Sequence, residues 1–358
     1  MKLFFNDFLK FEDKILFSAS NYNGLFEHSF LTKETKLLFD FEMNDIGINY
    51  LYTKLVKYQD SVWILPNNSK YLYEYNLLDG NLRYYSLPQE WITVDFSLFL
   101  DGTIVDDKLY LLPCRYDGVL IFDIKSREFI NRIDLKKMFD VTSGLYCFKG
   151  IDVCDRKIYI ASFIENKYII LDSTTGKYET RLLDEDYGGI SHLLIRNKRI
   201  NIFGKNGKIG TYTLDGEKLK TVNFSTKMDG PHFYDVCEEN GVFFCTENYN
   251  KKIAIYDSKT GEKKELEYPV SDNKEFTDFW ANALCIKNDN GIVLFQSAYD
   301  GMLFGLHGDS IEKIGTIDWD ISDDELKKIW ATPNVVIKEQ CGLSLPQLIR
   351  AIRAKEKY

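Results

Sequence analysis

The residues best suited to chemistry are four histidines, His28, His192, His232 and His307, and seven cysteines, Cys114, Cys147, Cys154, Cys237, Cys245, Cys285 and Cys341. A structural zinc site takes its ligands in close pairs. There is no Cys-x-x-Cys and the histidines lie far apart, so no metal site is expected. The cysteine count is odd, and most sit in apolar runs such as Val236-Cys237 and Leu284-Cys285. They read as small buried hydrophobes in a reducing cytoplasm. The glycines of Gly204-Lys205-Asn206-Gly207-Lys208-Ile209-Gly210 match neither a dinucleotide fingerprint nor a phosphate loop, and a hairpin turn is expected there. No Gly-x-Ser-x-Gly elbow nominates a hydrolase serine. Asp318, Asp320, Asp323 and Asp324 look like a calcium cluster but lack the glycine of an EF-hand bend, and read as acids at a helix start. No cofactor is expected, and any site must be assembled from residues distant in the chain.

The bulk composition narrows the partners. Lys plus Arg total 45 and Asp plus Glu 54, a net charge of −9 over 358 residues with a pI near 5.2. That balance disfavours sequence-independent nucleic-acid binding, which neutralises phosphates with Lys and Arg. It equally disfavours adsorption to an anionic membrane. Asn6, Asp7, Lys10, Glu12 and Asp13 break any apolar run at the N-terminus, so no secretory signal is expected. No stretch of 18 apolar residues predicts a membrane-spanning helix. The expected location is cytoplasmic.

The elements that would position a site repeat. A short polar turn precedes an apolar run at Ile15, Val62, Leu109, Ile158, Ile200, Val242 and Ile292. The period is about 46 residues. A second run follows each, as in Val119–Asp123, Tyr168–Asp172 and Ile253–Asp257. Then come tight turns such as Asp172-Ser173-Thr174-Thr175-Gly176 and Asp257-Ser258-Lys259-Thr260-Gly261, in which Asp caps and Gly takes the positive φ. Four short strands per unit and seven units predict an all-β, seven-bladed β-propeller over residues 1–320. Ser322-Asp323-Asp324-Glu325 then reads as a capping box, and Pro346 as the first turn of a second helix, so 321–358 is expected to be a helical tail.

The Asp-x-x-Thr-Gly turn resembles the quasi-repeats of PQQ-like and YVTN-type propellers, over roughly residues 4–317. Departures limit what this implies. The Trp-Asp pair occurs once, at Trp319-Asp320, unlike WD-repeats. Paired glycines occur once, at Gly188-Gly189, unlike kelch repeats, and the five tryptophans follow no blade period. PQQ chemistry is therefore not implied.

In the usual propeller topology, which the resemblance implies, the inter-blade connections and the turns between second and third strands open on one face. Those turns carry Arg115, Tyr116, Asp117, Tyr249, Tyr299 and Asp300. The approaches to the innermost strands carry Tyr50, Tyr146, His192, His232, Trp280 and Asn282. Together they would line a central funnel with aromatic area and polar tips, the composition of a recognition surface. The same Tyr and Asn side chains are also good turn formers. Two functions follow. In one, the protein is a binding or scaffold module for a peptide, a glycan-like or other small polar ligand, or a partner protein. In the other, it is an enzyme, such as a lyase, hydrolase or isomerase, with His192, His232, Tyr146 and Asp117 or Asp300 converging in the funnel. A histidine and a carboxylate in hydrogen-bond reach there would favour the enzyme.

Overall fold

The structure is a computed structural model that describes residues 1–41, 51–94, 98–136, 138–139, 148–224, 232–248, 251–270, 283–289 and 291–322. The helical tail expected over 321–358 lies, from residue 323 on, outside the described residues.

Each apolar run becomes the second strand of a four-stranded antiparallel sheet, and each sheet uses four consecutive strands. Seven such blades result, spanning 8–40, 52–86, 99–134, 148–182, 190–223, 233–267 and 283–316. Burial falls off from the middle of a blade to its fourth strand. Leu109–Pro113 is wholly buried, whereas Tyr178–Leu182 is almost wholly exposed. This is why the apolar runs of the sequence coincide with the inner strands of each blade.

Hydrophobic clusters fill the spaces between neighbouring blades. Seven of them cover the seven interfaces, including the one that returns from blade 7 to blade 1. In that closing interface Leu3, Phe5, Phe8 and Phe17 pack with Cys285, Leu294 and Leu303. Closure does not use a blade shared between the chain ends. Instead Leu3 N–H donates to Ile317 O at 2.9 Å and Trp319 N–H to Met1 O at 2.8 Å. The fully buried Gln296 of blade 7 receives Phe5 N–H at 3.0 Å and donates to Leu3 O at 2.9 Å.

The first strands of adjacent blades pack side by side around the hub. In six of the seven, register slips near the strand's start, so the strand bulges where it leaves the inter-blade connection. Four of the first hairpins close with two left-handed residues. These are Asp106-Asp107, Asp155-Arg156, Asn197-Lys198 and Asn240-Gly241. Such pairs match the twist of the flanking strands.

Candidate functional site

The bulges set the register of the hub. In chain order Lys54, Asp101, Gly150, His192 and Cys285 follow the bulges of their strands, and Asp235 lies within the wider slip between Phe233 and Val236. Asp7 occupies the equivalent place just before the first strand of blade 1. All lie one layer below the face on which the inter-blade connections open. At Gly150 a Cβ would fall 2.9 Å from Leu193 N, so only glycine lets the first strands of blades 4 and 5 approach this closely.

The ionisable side chains of this layer, Cys285 apart, form a belt of charge. Lys54 Nζ lies 3.2 Å from Asp101 Oδ1, and His192 Nε2 lies 3.2 Å from Asp235 Oδ1. Lys287 pairs with Asp7, and Lys149 Nζ donates to Tyr234 O. The carboxylates also tie blades together. Asp7 Oδ2 accepts Leu55 N–H at 2.8 Å, Asp152 Oδ2 accepts Ile195 N–H at 2.7 Å and Asp235 Oδ2 accepts Ile286 N–H at 3.1 Å. These charge-assisted bonds satisfy backbone donors on the edges of the innermost strands, which no further strand of the same sheet pairs.

Electrostatics follow from this crowding. Burial works to raise the Asp235 pKa, but the bond from His192 and the charges of His192, Lys54 and Lys149 outweigh it and bring it down to about 2. Burial opposes the Lys54 ammonium, yet Asp101, Asp7 and Asp235 hold its pKa above the usual value. Lys54 and Asp235 belong to blades 2 and 6, so the field reaches across the hub. Burial lowers the His192 pKa despite Asp235. At neutral pH the pair is therefore a neutral imidazole donating from Nε2 to an ionised carboxylate. Its Nδ1 has no hydrogen-bond partner among the described residues.

Of the residues expected in the funnel, His192 stands in this belt. His232 lies above it, 2% exposed, with its ring edge-on to Phe233 and Nε2 3.6 Å from Glu247 Oε1. Burial presses its pKa down to about 4. Its backbone joins neighbouring turns, donating to Lys205 O and accepting from Asn248 N–H. Tyr116 is turned inward instead of toward the rim. Its ring is wholly buried in the core between blades 2 and 3, and its hydroxyl donates to Trp91 O. Asp117 is also committed internally, to Arg132 at 2.6 Å and to Lys136. Arg115 is half-buried beside them. Asp300 accepts Met302 N–H within its own turn, and the Tyr299 ring carries Lys251 Nζ 4.7 Å from its centre. Tyr50, Tyr146, Tyr249, Trp280 and Asn282 lie outside the described residues.

Several turn asparagines serve the scaffold. Asn21 bonds Phe4 N–H and Lys2 O, and Asn166 Oδ1 receives Tyr187 N–H at 2.8 Å. They clamp the segment that leads into or out of their blade. The hub charges were missed because Lys54, Asp101 and Asp235 each sit among strand residues, where a lone charge looks unremarkable. Their signal is the register: a charged residue recurring about one blade period apart, near the start of the first strands of blades 2, 3 and 6.

No known protein-family description matches the sequence, and no curated protein matches it. In fold the chain is similar to PorZ, a surface component of the type-IX secretion system of Porphyromonas gingivalis, with TM-score 0.61 and 11% identity, covering 90% of this chain and 40% of PorZ. It is similar to the extracellular domain of BT4673 of B. thetaiotaomicron, with TM-score 0.60 and 16% identity, covering 83% of this chain and 38% of that one. BamB of Moraxella catarrhalis gives TM-score 0.55 and 13% identity, covering 88% of each. The chain thus spans about two fifths of the first two. At these identities the likeness is one of fold, and it agrees with the seven blades seen here. Among the described residues no helix is long and apolar enough to cross a membrane, and no group of His, Cys, Asp and Glu is placed to hold a metal ion.

Proposed function

We propose that this propeller is a binding module that takes a small polar ligand or the charged end of a peptide at its hub. The supporting observation is the convergence of Lys54, Asp101, His192 and Asp235, from four blades, at one register just beneath the face of the inter-blade connections. Closing the ring does not require charge at that register, since blades 4 and 7 use Gly150 and Cys285 there. Ionised groups held in a confined hub are costly unless paired, and a zwitterionic ligand would find both signs presented. The Asp-x-x-Thr-Gly turns support placing the chain beside PQQ-like and YVTN-type propellers. The five described cysteines are free thiols, in keeping with a reducing location.

The test is a thermal-shift screen of the whole chain against amino acids, dipeptides and small dicarboxylates. A ligand that stabilises the protein should lose its effect with Lys54→Met and with His192→Phe, and keep it with Lys198→Ala on the opposite face. A ligand unaffected by both hub substitutions, or lost with Lys198→Ala, overturns the hub as the site.

One observation favours the enzymatic reading. The His192–Asp235 contact leaves an imidazole Nδ1 that no described residue engages. An ionised carboxylate behind a neutral imidazole is the arrangement of a general base. On that reading turnover of the bound ligand falls steeply in His192→Phe, whereas a pure binding site shows no turnover in either protein.

A further inference from the structure

On the face of the hairpin turns, two clefts open between neighbouring blades. One, of about 580 Å³, lies between blades 2 and 3, and the other, of about 290 Å³, between blades 5 and 6. Strand register makes them equivalent position by position. Ser61 corresponds to Arg199, Glu74 to Thr211, Asp107 to Gly241 and Lys125 to Lys259.

The first cleft is neutralised from within. Asp107 pairs with Lys125 and accepts from the Tyr58 hydroxyl. Glu74 accepts from Ser61 Oγ at 3.0 Å and Tyr85 OH at 2.7 Å, and lies 3.7 Å from Arg127. The second cleft keeps the lysine but has neither carboxylate. No Asp or Glu lines it, while Arg199, Lys220 and Lys259 do. None of the three has a carboxylate within 4 Å among the described residues. The further cation at its edge, Arg196, is already held by Asp152 at 2.9 Å and Glu238 at 3.3 Å. On the floor, buried Asn201 accepts from Thr211 Oγ1 at 3.1 Å. The Asn201 amide donates to Leu194 O and Arg199 O, each at 3.4 Å. In a chain of net charge −9, this is a local excess of positive charge around a concave space.

We propose that the cleft between blades 5 and 6 binds a small phosphorylated molecule, whose phosphoryl group replaces the two carboxylates that this cleft lacks. A phosphate monoester carries roughly −1.5 to −2 charges near neutral pH, which matches the two missing acids. Its oxygens can accept from a guanidinium and two ammonium groups together. The space admits a small molecule and no folded partner. The site is on the opposite face from the hub and stands independently of it.

Calorimetry of the whole chain with phenyl phosphate at low ionic strength tests this. Binding is expected, weakened about tenfold by Lys259→Gln and about tenfold by Arg199→Gln, each of which removes one charge-assisted bond. Thr211→Glu, which restores the acid of the first cleft, should abolish it. Should that buried substitution not fold, Lys259→Glu on an exposed side chain makes the same demand. Lys125→Gln, in the neutralised cleft, should leave the affinity unchanged. Absence of binding to the unmodified chain, or equal losses in Lys125→Gln and Lys259→Gln, overturns the proposal.

Discussion

The sharpest consequences of burial fall on single ionisable side chains. His232 is almost completely enclosed, and its pKa of about 4 lies well below that of an exposed imidazole. Between pH 6.5 and 4 the unfolded chain takes up this proton and the folded chain does not. Stability therefore falls with pH across that window, by about 3 kcal/mol for this residue. His232→Phe, which keeps the edge-on contact with Phe233, should flatten that part of the stability profile. Urea melts at pH 7 and pH 5 check it, and an unchanged pH dependence would exclude His232 as its source. Asp235 acts in a lower window. Its pKa is brought down to about 2, so its contribution is present above about pH 4 and is lost as pH falls toward 2. Asp235→Asn should cost about 2 kcal/mol at neutral pH and remove the negative charge beside His192. An NMR titration of His192 reads that loss directly, because removing the carboxylate should lower its pKa further.

At the scale of strands and turns, most of the architecture was legible, because each blade repeats the same physical pattern. The polar turn and apolar run at Asp106-Asp107-Lys108 and Leu109–Leu112 became a left-handed hairpin turn and a wholly buried strand. The Asp172 and Asp257 turns formed as expected, with each carboxylate receiving the N–H groups two and three residues on. What was not legible was the direction of side chains in the face turns. Tyr116 reads as a recognition residue from its type, but the same ring fills a core between two blades, and spacing alone does not distinguish these fates. The repeats also offer a comparison within one chain. Blade 6 closes its first hairpin with Asn240-Gly241, whereas blade 5 places Lys198 at φ 56° in the second position. A left-handed residue other than glycine costs about 1–2 kcal/mol, offset by the larger entropy that glycine loses on folding, about 0.5–1 kcal/mol. Lys198→Gly should thus stabilise the protein by about 0.5 kcal/mol, read as a higher denaturant midpoint at constant slope. A lower midpoint would mean that the lysine side chain contributes more than its backbone strain removes.

The whole molecule differs from a linear array of repeats in one respect: it has no end blades. Seven interfaces for seven blades mean that each blade is packed on both sides, and the seventh interface depends on residues 1–5 meeting blade 7. The sequence period foretells seven units, but it does not reveal the device that joins the last to the first. Gln296 lies in an ordinary apolar strand, and only the fold shows its amide bridging Phe5 N–H, Leu3 O and Gly301 O. Gln296→Leu keeps similar bulk and removes all three bonds, leaving buried backbone groups unsatisfied. A cost of about 3 kcal/mol is expected. Its distribution decides how the ring behaves. In an open solenoid, damage at a terminal repeat stays near that repeat, because each unit answers only to its neighbours. In a closed ring, opening the interface between blades 7 and 1 exposes two apolar faces at once and releases the constraint on every other interface. Amides of blade 4, on the far side of the ring, should therefore lose hydrogen-exchange protection by the same free energy as those of blade 7. Faster exchange confined to blades 7 and 1 would show instead that the propeller unfolds piecewise, and that its closure is a local contact.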